Sequence, residues 1–129
     1  MFNSIKNFIQ RGIRGYSDED LCDFQDYLCN IVPLAVRNLS KRTMGCPEEL
    51  YDKDKVNDEC HKWNVVLEEI AQGFEAAKAL LDTNFTQFIP DPESKHLKWE
   101  VDEGRLKQLS EKYQRGLELF SKYFLDLWD

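Results

Sequence analysis

From Val56 through Cys60, Trp63, Leu67, Ile70, Phe74 and Ala77 to Leu81, apolar residues recur in steps of 4, 3, 4, 3, 4, 3 and 4. At 3.6 residues per turn all of them fall on one stripe of a helix, whereas a half-buried strand alternates with a period of two. A stripe kept up over about seven turns commits the chain to a long helix with one buried face. Such helices pack at shallow angles against antiparallel neighbours. The spacing predicts a helix over about 54–83, capped by Asp54 or Asn57. Its stop is expected at Asp82-Thr83-Asn84, whose side chains compete for backbone hydrogen bonds.

Two further stretches repeat the pattern. Leu21, Phe24, Leu28, Ile31, Ala35 and Leu39 predict a helix over about 18–44, opened by a capping box in Ser17-Asp18-Glu19-Asp20 and closed at Gly45-Cys46-Pro47. Pro33 lies inside it and removes one backbone donor, so a kink is expected near 29–32. Leu106, Leu109, Tyr113, Leu117, Phe120, Phe124 and Leu127 predict a third helix over about 102–127. Between the second and third, residues 85–92 contain Pro90 and Pro92 and read as a loop with apolar content. Phe2, Ile5, Phe8, Ile9 and Ile13 share one face of a short amphipathic helix over about 2–11, ended by Gly12 and Gly15. No alternating run is long enough to predict a strand. The expected fold is all-α: three long antiparallel helices in an up-down-up bundle, the short leader helix turning its apolar face inward as the fourth member.

At 129 residues the chain has room for one domain. Its 42% hydrophobic and 32% charged content excludes collagen-like, low-complexity and wholly disordered classes. Seventeen basic against 24 acidic residues give a net charge of −7, which disfavours a broad phosphate-binding face and hence nucleic acid. The imbalance is local: residues 1–16 carry Lys6, Arg11 and Arg14 with no acid, leaving a net of −10 on 17–129. No run approaches the ~18 apolar residues of a membrane helix, and no secretory signal is recognisable. The expected compartment is therefore a reducing cytoplasm, with Cys22, Cys29, Cys46 and Cys60 as free thiols.

The segments Arg14-Gly15-Tyr16-Ser17-Asp18-Glu19-Asp20-Leu21, Gly45-Cys46-Pro47-Glu48-Glu49-Leu50 and Gly116-Leu117-Glu118-Leu119-Phe120-Ser121-Lys122-Tyr123-Phe124-Leu125-Asp126-Leu127-Trp128 resemble a group of small proteins of tailed phages and phage-derived metagenomic sequences. That family has a Gly-aromatic-Ser-Asp helix start, a Gly-aromatic-Pro turn before a Trp-bearing helix, and a closing LFxKYFxDLW helix. Cys46 takes the aromatic position of the turn. The order matches over most of 14–128. The resemblance implies a phage origin and a host-cytoplasm setting, and it carries no activity.

Chemistry-bearing spacings are few. Helical bundles hold two metals with paired Glu-x-x-His motifs and two further Glu, but only Glu93-x-x-His96 occurs, in the proline-bounded segment. Cys46, Cys60 and His61 are too few for structural zinc, and neighbours on a helix point ~100° apart. Asp52-x-Asp54 hints at a calcium loop, yet Asn57 stands where its glycine belongs. The sharpest enzymatic alternative uses Asp23 with Asp26 and Glu49 with Asp52 to hold magnesium against a nucleotide's phosphates, which resembles the all-helical nucleotide pyrophosphohydrolases. Acids near a helix start are equally explained by its dipole. The basic leader could also lie on an anionic bilayer, though three charges are few, and the body's acids could mimic DNA.

One feature exceeds what a core needs. Leu117, Leu119, Phe120, Tyr123, Phe124, Leu125, Leu127 and Trp128 surround their helix instead of keeping to one stripe. Two faces then want burial, and the second is expected to meet the leader, the Phe85-Phe88-Ile89 segment, a host protein or, as the favoured reading, a second copy. Trp99, Leu119, Tyr123, Leu125 and Trp128, with Phe85 and Phe88 from the intervening segment, are the candidate interface residues. The expected function is a protein-binding module and homo-oligomer that modulates host or phage machinery, with a minor virion component as a further alternative. No catalytic residue, cofactor or metal site is expected.

Overall fold

The long stripe forms the middle helix of the fold. In a computed structural model that describes residues 2–82, 85–94 and 96–128, apart from the side chains of Phe2, Gln87 and Phe88, the chain runs through α1 (Phe2–Arg14), α2 (Asp18–Cys22), α3 (Phe24–Arg42), α4 (His61–Asp82), β1 (Thr86–Pro90), β2 (Leu97–Val101) and α5 (Glu103–Lys122). Helix α4 buries Trp63, Leu67, Ile70, Ala71 and Phe74. One flank receives Cys29 and Val36 of α3, the other Leu119 of α5 and Tyr123 just beyond it.

Cross-helix partners give the direction of each neighbour. Asp26, Arg37 and Ser40 of α3 meet Lys78, Glu68 and Asn64 of α4 respectively, so the two run antiparallel. Trp63 packs edge-on against Tyr123 at 5.5 Å between centroids, and Arg115 faces Glu69, so α5 is antiparallel to α4 as well. The all-α bundle expected from the periodicity is present. At the α4–α5 crossing Gly73 and Gly116 meet backbone to backbone, and a Cβ on either would lie 2.5 Å from the other's Cα.

Several boundaries differ from the sequence expectation. The helix expected over 18–44 is broken at Asp23, which has φ −144° and ψ 64°. The capping box of Ser17 and Asp20 builds only one short turn of helix, and the Asp23 carbonyl then starts α3 by accepting from Asp26 and Tyr27. Helix α3 continues through the buried Pro33. Helix α4 starts at His61, not near 54, and neither Asp54 nor Asn57 caps it. Asp52 takes the Asp54 amide on its side chain, Asn57 adopts a φ of +72°, and Val56 is exposed; short polar side chains that bond their own backbone favour turns over helix. At the other end of α4, Thr83 and Asn84 lie outside the described residues.

Helix α5 stops at Lys122, with a 3-10 turn at Phe124–Asp126. Its start is fixed by Asp102, whose side chain accepts from the Arg105 amide. The segment read as a loop holds a strand instead: β1 and β2 pair antiparallel with Phe88 opposite Trp99. Pro90 sits at the end of its strand, where a missing N–H costs least. The Asp91 carboxylate organises the turn by accepting from the Glu93 amide and the Ser94 hydroxyl.

Candidate binding surfaces

Helix α1 has a clean division of polarity, and it is mounted in the reverse of the expected sense. Its polar arc is tied to α2. Arg11 donates to both Asp20 oxygens at 2.9 and 2.6 Å, Gln10 donates to Asp18 and accepts from the Asp18 amide at 2.8 Å, Asn7 donates to Glu19, and Arg14 pairs with Asp18. Lys6 lies 3.6 Å from the same Asp18. Gly12 does not end this helix; Gly15 does, at a φ of +85° that a side chain would resist, and its carbonyl accepts from the Tyr27 hydroxyl. Ser17, fully buried, completes the junction.

These contacts fix the charge states. The Arg14 guanidinium, with Gln10 behind it, holds the Asp18 carboxyl down to about 2, and Arg11 holds the buried Asp20 carboxyl lower still. All three cations of the leader are therefore answered by acids of α2. The opposite arc, Ile5, Phe8, Ile9 and Ile13, is 51–81% exposed. The leader does not occupy the fourth bundle position, because seating it there would separate Arg11 and Arg14 from these carboxylates.

That fourth position is open. Helices α3 and α5 flank α4, and a groove of about 460 Å³ between them is walled by Leu28, Phe74, Leu81, Tyr113 and Leu117 with Cys29 on its floor. Burial pushes the Cys29 thiol up and keeps it protonated.

The C-terminal turn makes a third apolar surface. Phe124, Leu125 and Trp128 are exposed, and Trp128 edges a cleft of about 310 Å³ beside Met44, Pro47 and Trp63. Of the candidate interface residues, Trp128, Leu125 and Trp99 are on the surface and Phe85 is half-buried. Leu119 and Tyr123 are not available: they are 5% and 4% exposed, because the stripe they belong to is the one facing α4 and Trp63. The side chain of Phe88 lies outside the described residues.

The four acids of the nucleotide-hydrolase alternative are not brought together. Asp26 is held by Lys78 at 2.6 Å near the end of α4, whereas Glu49 faces Lys122, the neighbour of Tyr123, near its start. Trp63 and Lys78 alone are about 22 Å apart along the helix. Cys46 and Cys60 form a disulfide, with Cα atoms 5.6 Å apart, in place of the expected thiols. The turns at 47–59 return the chain to its own starting point, which spacing without a CxxC motif did not reveal. Cys22 and Cys29 carry free thiols. Glu93 and His96 sit in the hairpin turn, where Asp91 is the organising acid. No group of three or more His, Cys, Asp or Glu is placed to hold a metal among the described residues. No helix among them is long and apolar enough to cross a membrane.

Sequence reasoning missed the outward face of α1, the disulfide and the Gly73–Gly116 contact. Two interior glycines in otherwise periodic helices were the available signal for the last. Comparison of the chain with protein-family models, with curated protein sequences and with solved structures gives no match.

Proposed function

We propose that this chain is a protein-binding module that self-associates and, in keeping with the phage resemblance of its sequence, acts on host or phage machinery. One observation carries the reading: α1 is anchored by its polar arc and holds Ile5, Phe8, Ile9 and Ile13 outward. A helix normally buries the apolar arc and wets the polar one. Exposing four large side chains in a row is costly in an isolated chain and useful in one that binds.

The accessible surface supports the same reading. It is 9760 Å², against roughly 7,100 Å² for a compact monomer of 15.2 kDa. Trp128 and Leu125 add aromatic and aliphatic anchor types at the other end of the molecule. The test pairs affinity capture from cell lysate with a determination of association state, for wild type and for Phe8→Glu/Ile13→Glu. Partners or self-association present in wild type and lost in the variant support the module. A wild-type chain that captures nothing and stays monomeric at all concentrations refutes it.

A further inference from the structure

The bundle lacks a fourth helix, and α1 lacks a core. The geometry points to a second copy of this chain as the answer to both: α1 of each protomer seats its Ile5–Phe8–Ile9–Ile13 arc in the groove between α3 and α5 of the other, about a twofold axis. This deepens the binding-module reading and rests on it.

Three features fit the two surfaces to each other. Their lengths agree, since Ile5 to Ile13 spans about 12 Å of helix and Phe74 to Leu81 about 10 Å. Their chemistry agrees, because neither the arc nor the groove lining, which is apolar apart from Gln25, the Tyr113 hydroxyl and the Cys29 thiol, carries a charge. The area is sufficient as well. Four side chains hiding about 300 Å² on the helix and a similar area in the groove give about 1,200 Å² when the contact is made twice, the lower edge of stable interfaces. The excess of accessible surface noted above leaves room for more.

Other occupants fit less well. Seating α1 in its own groove would break the bidentate Arg11–Asp20 pair and the Gln10–Asp18 contacts, whereas a partner's groove can take the arc with those bonds intact. An anionic bilayer needs cations flanking the apolar arc. Here Lys6, Arg11 and Arg14 face Asp18 and Asp20, and the chain's net charge of −7 opposes such a surface.

Sedimentation equilibrium of the full chain tests the proposal, with Phe8→Glu altering the arc and Tyr113→Glu the half-open wall of the groove. Wild type is expected to dimerise, and each variant to dimerise about a hundredfold more weakly with its helical circular dichroism unchanged. Ile9→Glu and Leu81→Glu serve as second variants should either of the first fail to fold. In a Cys22→Ser/Cys29→Ala background, which removes both native free thiols, a mixture of Ile9→Cys and Tyr113→Cys chains should oxidise to a covalent heterodimer, and Leu34→Cys, exposed elsewhere on α3, should not replace Tyr113→Cys. A monomeric wild type overturns the proposal, and if that monomer still captures a partner through Phe8 the binding-module reading survives it. A dimer that persists in both glutamate variants, or equal cross-linking to Leu34→Cys, overturns the helix exchange and moves self-association to another surface.

Discussion

Replacing Gly73 or Gly116 by alanine adds one carbon where there is no room for it. A Cβ on Gly73 would lie 2.5 Å from Gly116 Cα and 3.1 Å from the Lys112 carbonyl oxygen; one on Gly116 would lie 2.5 Å from Gly73 Cα and 3.0 Å from the Glu69 carbonyl oxygen. Carbon atoms rest at ~3.5–4.0 Å, and these neighbours are backbone, so the helices must part by about 1 Å. Parting them loosens the Trp63–Tyr123 and Phe74–Phe120 contacts at 5.5 and 5.2 Å. Overpacking costs about 1–3 kcal/mol, and the upper end applies because a gap of this size forfeits a quarter to a half of each dispersion contact. Alanine returns about 1 kcal/mol of helix propensity. The net loss is about 2 kcal/mol, or about 7 °C of Tm for a chain of this length.

Thermal and urea unfolding of Gly73→Ala, Gly116→Ala and the double variant measure this. Once one methyl has separated the helices the second costs less, so the double variant should lose about 3 kcal/mol, short of the sum. Gly104→Ala, whose added Cβ meets only Asp102 Oδ1 at an ordinary 3.9 Å, should be neutral or slightly stabilising. Either crossing variant matching or exceeding wild type would show that propensity alone decides, and that the helices do not approach so closely.

Three further outcomes follow from named contacts. Cys46→Ser/Cys60→Ser should cost about 3 kcal/mol through the lost closure of a loop of separation 14; an unchanged urea midpoint with and without reductant would contradict the disulfide. Asp18 and Asp20 are held below the ordinary carboxylate pKa of about 3.9, so their contribution to docking α1 is complete above that value and fails as pH falls toward 2. The protection of α1 amides, their exchange slowed relative to the intrinsic rate at each pH, should accordingly be flat from pH 7 to about 4 and fall below it, and Asp20→Asn should lower it at every pH while leaving α4 protected. Arg37 bridges Glu68 and Glu75 but is more than a third exposed, so Arg37→Met should cost no more than about 1 kcal/mol, shrinking with added salt; a salt-independent loss of about 3 kcal/mol would mean the pair is buried in solution.

The long-range periodicity was legible because it encodes burial directly: Trp63, Leu67, Ile70 and Phe74 were assigned to one stripe, and all are buried. Helix starts were legible only where side-chain chemistry competed weakly, as at Ser17. At 52–58 the apolar step from Val56 to Cys60 suggested more helix, yet four short polar side chains, the left-handed Asn57 among them, and one disulfide decided otherwise. Leu97-Lys98-Trp99-Glu100-Val101 does alternate with period two, but five residues beside two prolines are a faint signal, and β2 forms with all five exposed. The Cys46–Cys60 pairing depends on where intervening turns return the chain, which no local spacing carries.

The sense in which α1 is mounted was illegible for a different reason. Amphipathic periodicity says that a helix has two arcs but not which one its own domain will hold. The usual inference, that the apolar arc faces inward, assumes that nothing competes for the polar one. Here Asp18, Glu19 and Asp20, placed at a helix start where the dipole already favours acids, offer Asn7, Gln10, Arg11 and Arg14 a matched set of partners only a few residues away. Short chain separation makes that contact cheap in entropy, whereas reaching the groove in cis would sacrifice it. The same acids that cap α2 thus turn the leader's apolar arc to solvent, and this reversal of the ordinary rule of burial at one well-anchored helix is what the proposed docking rests on.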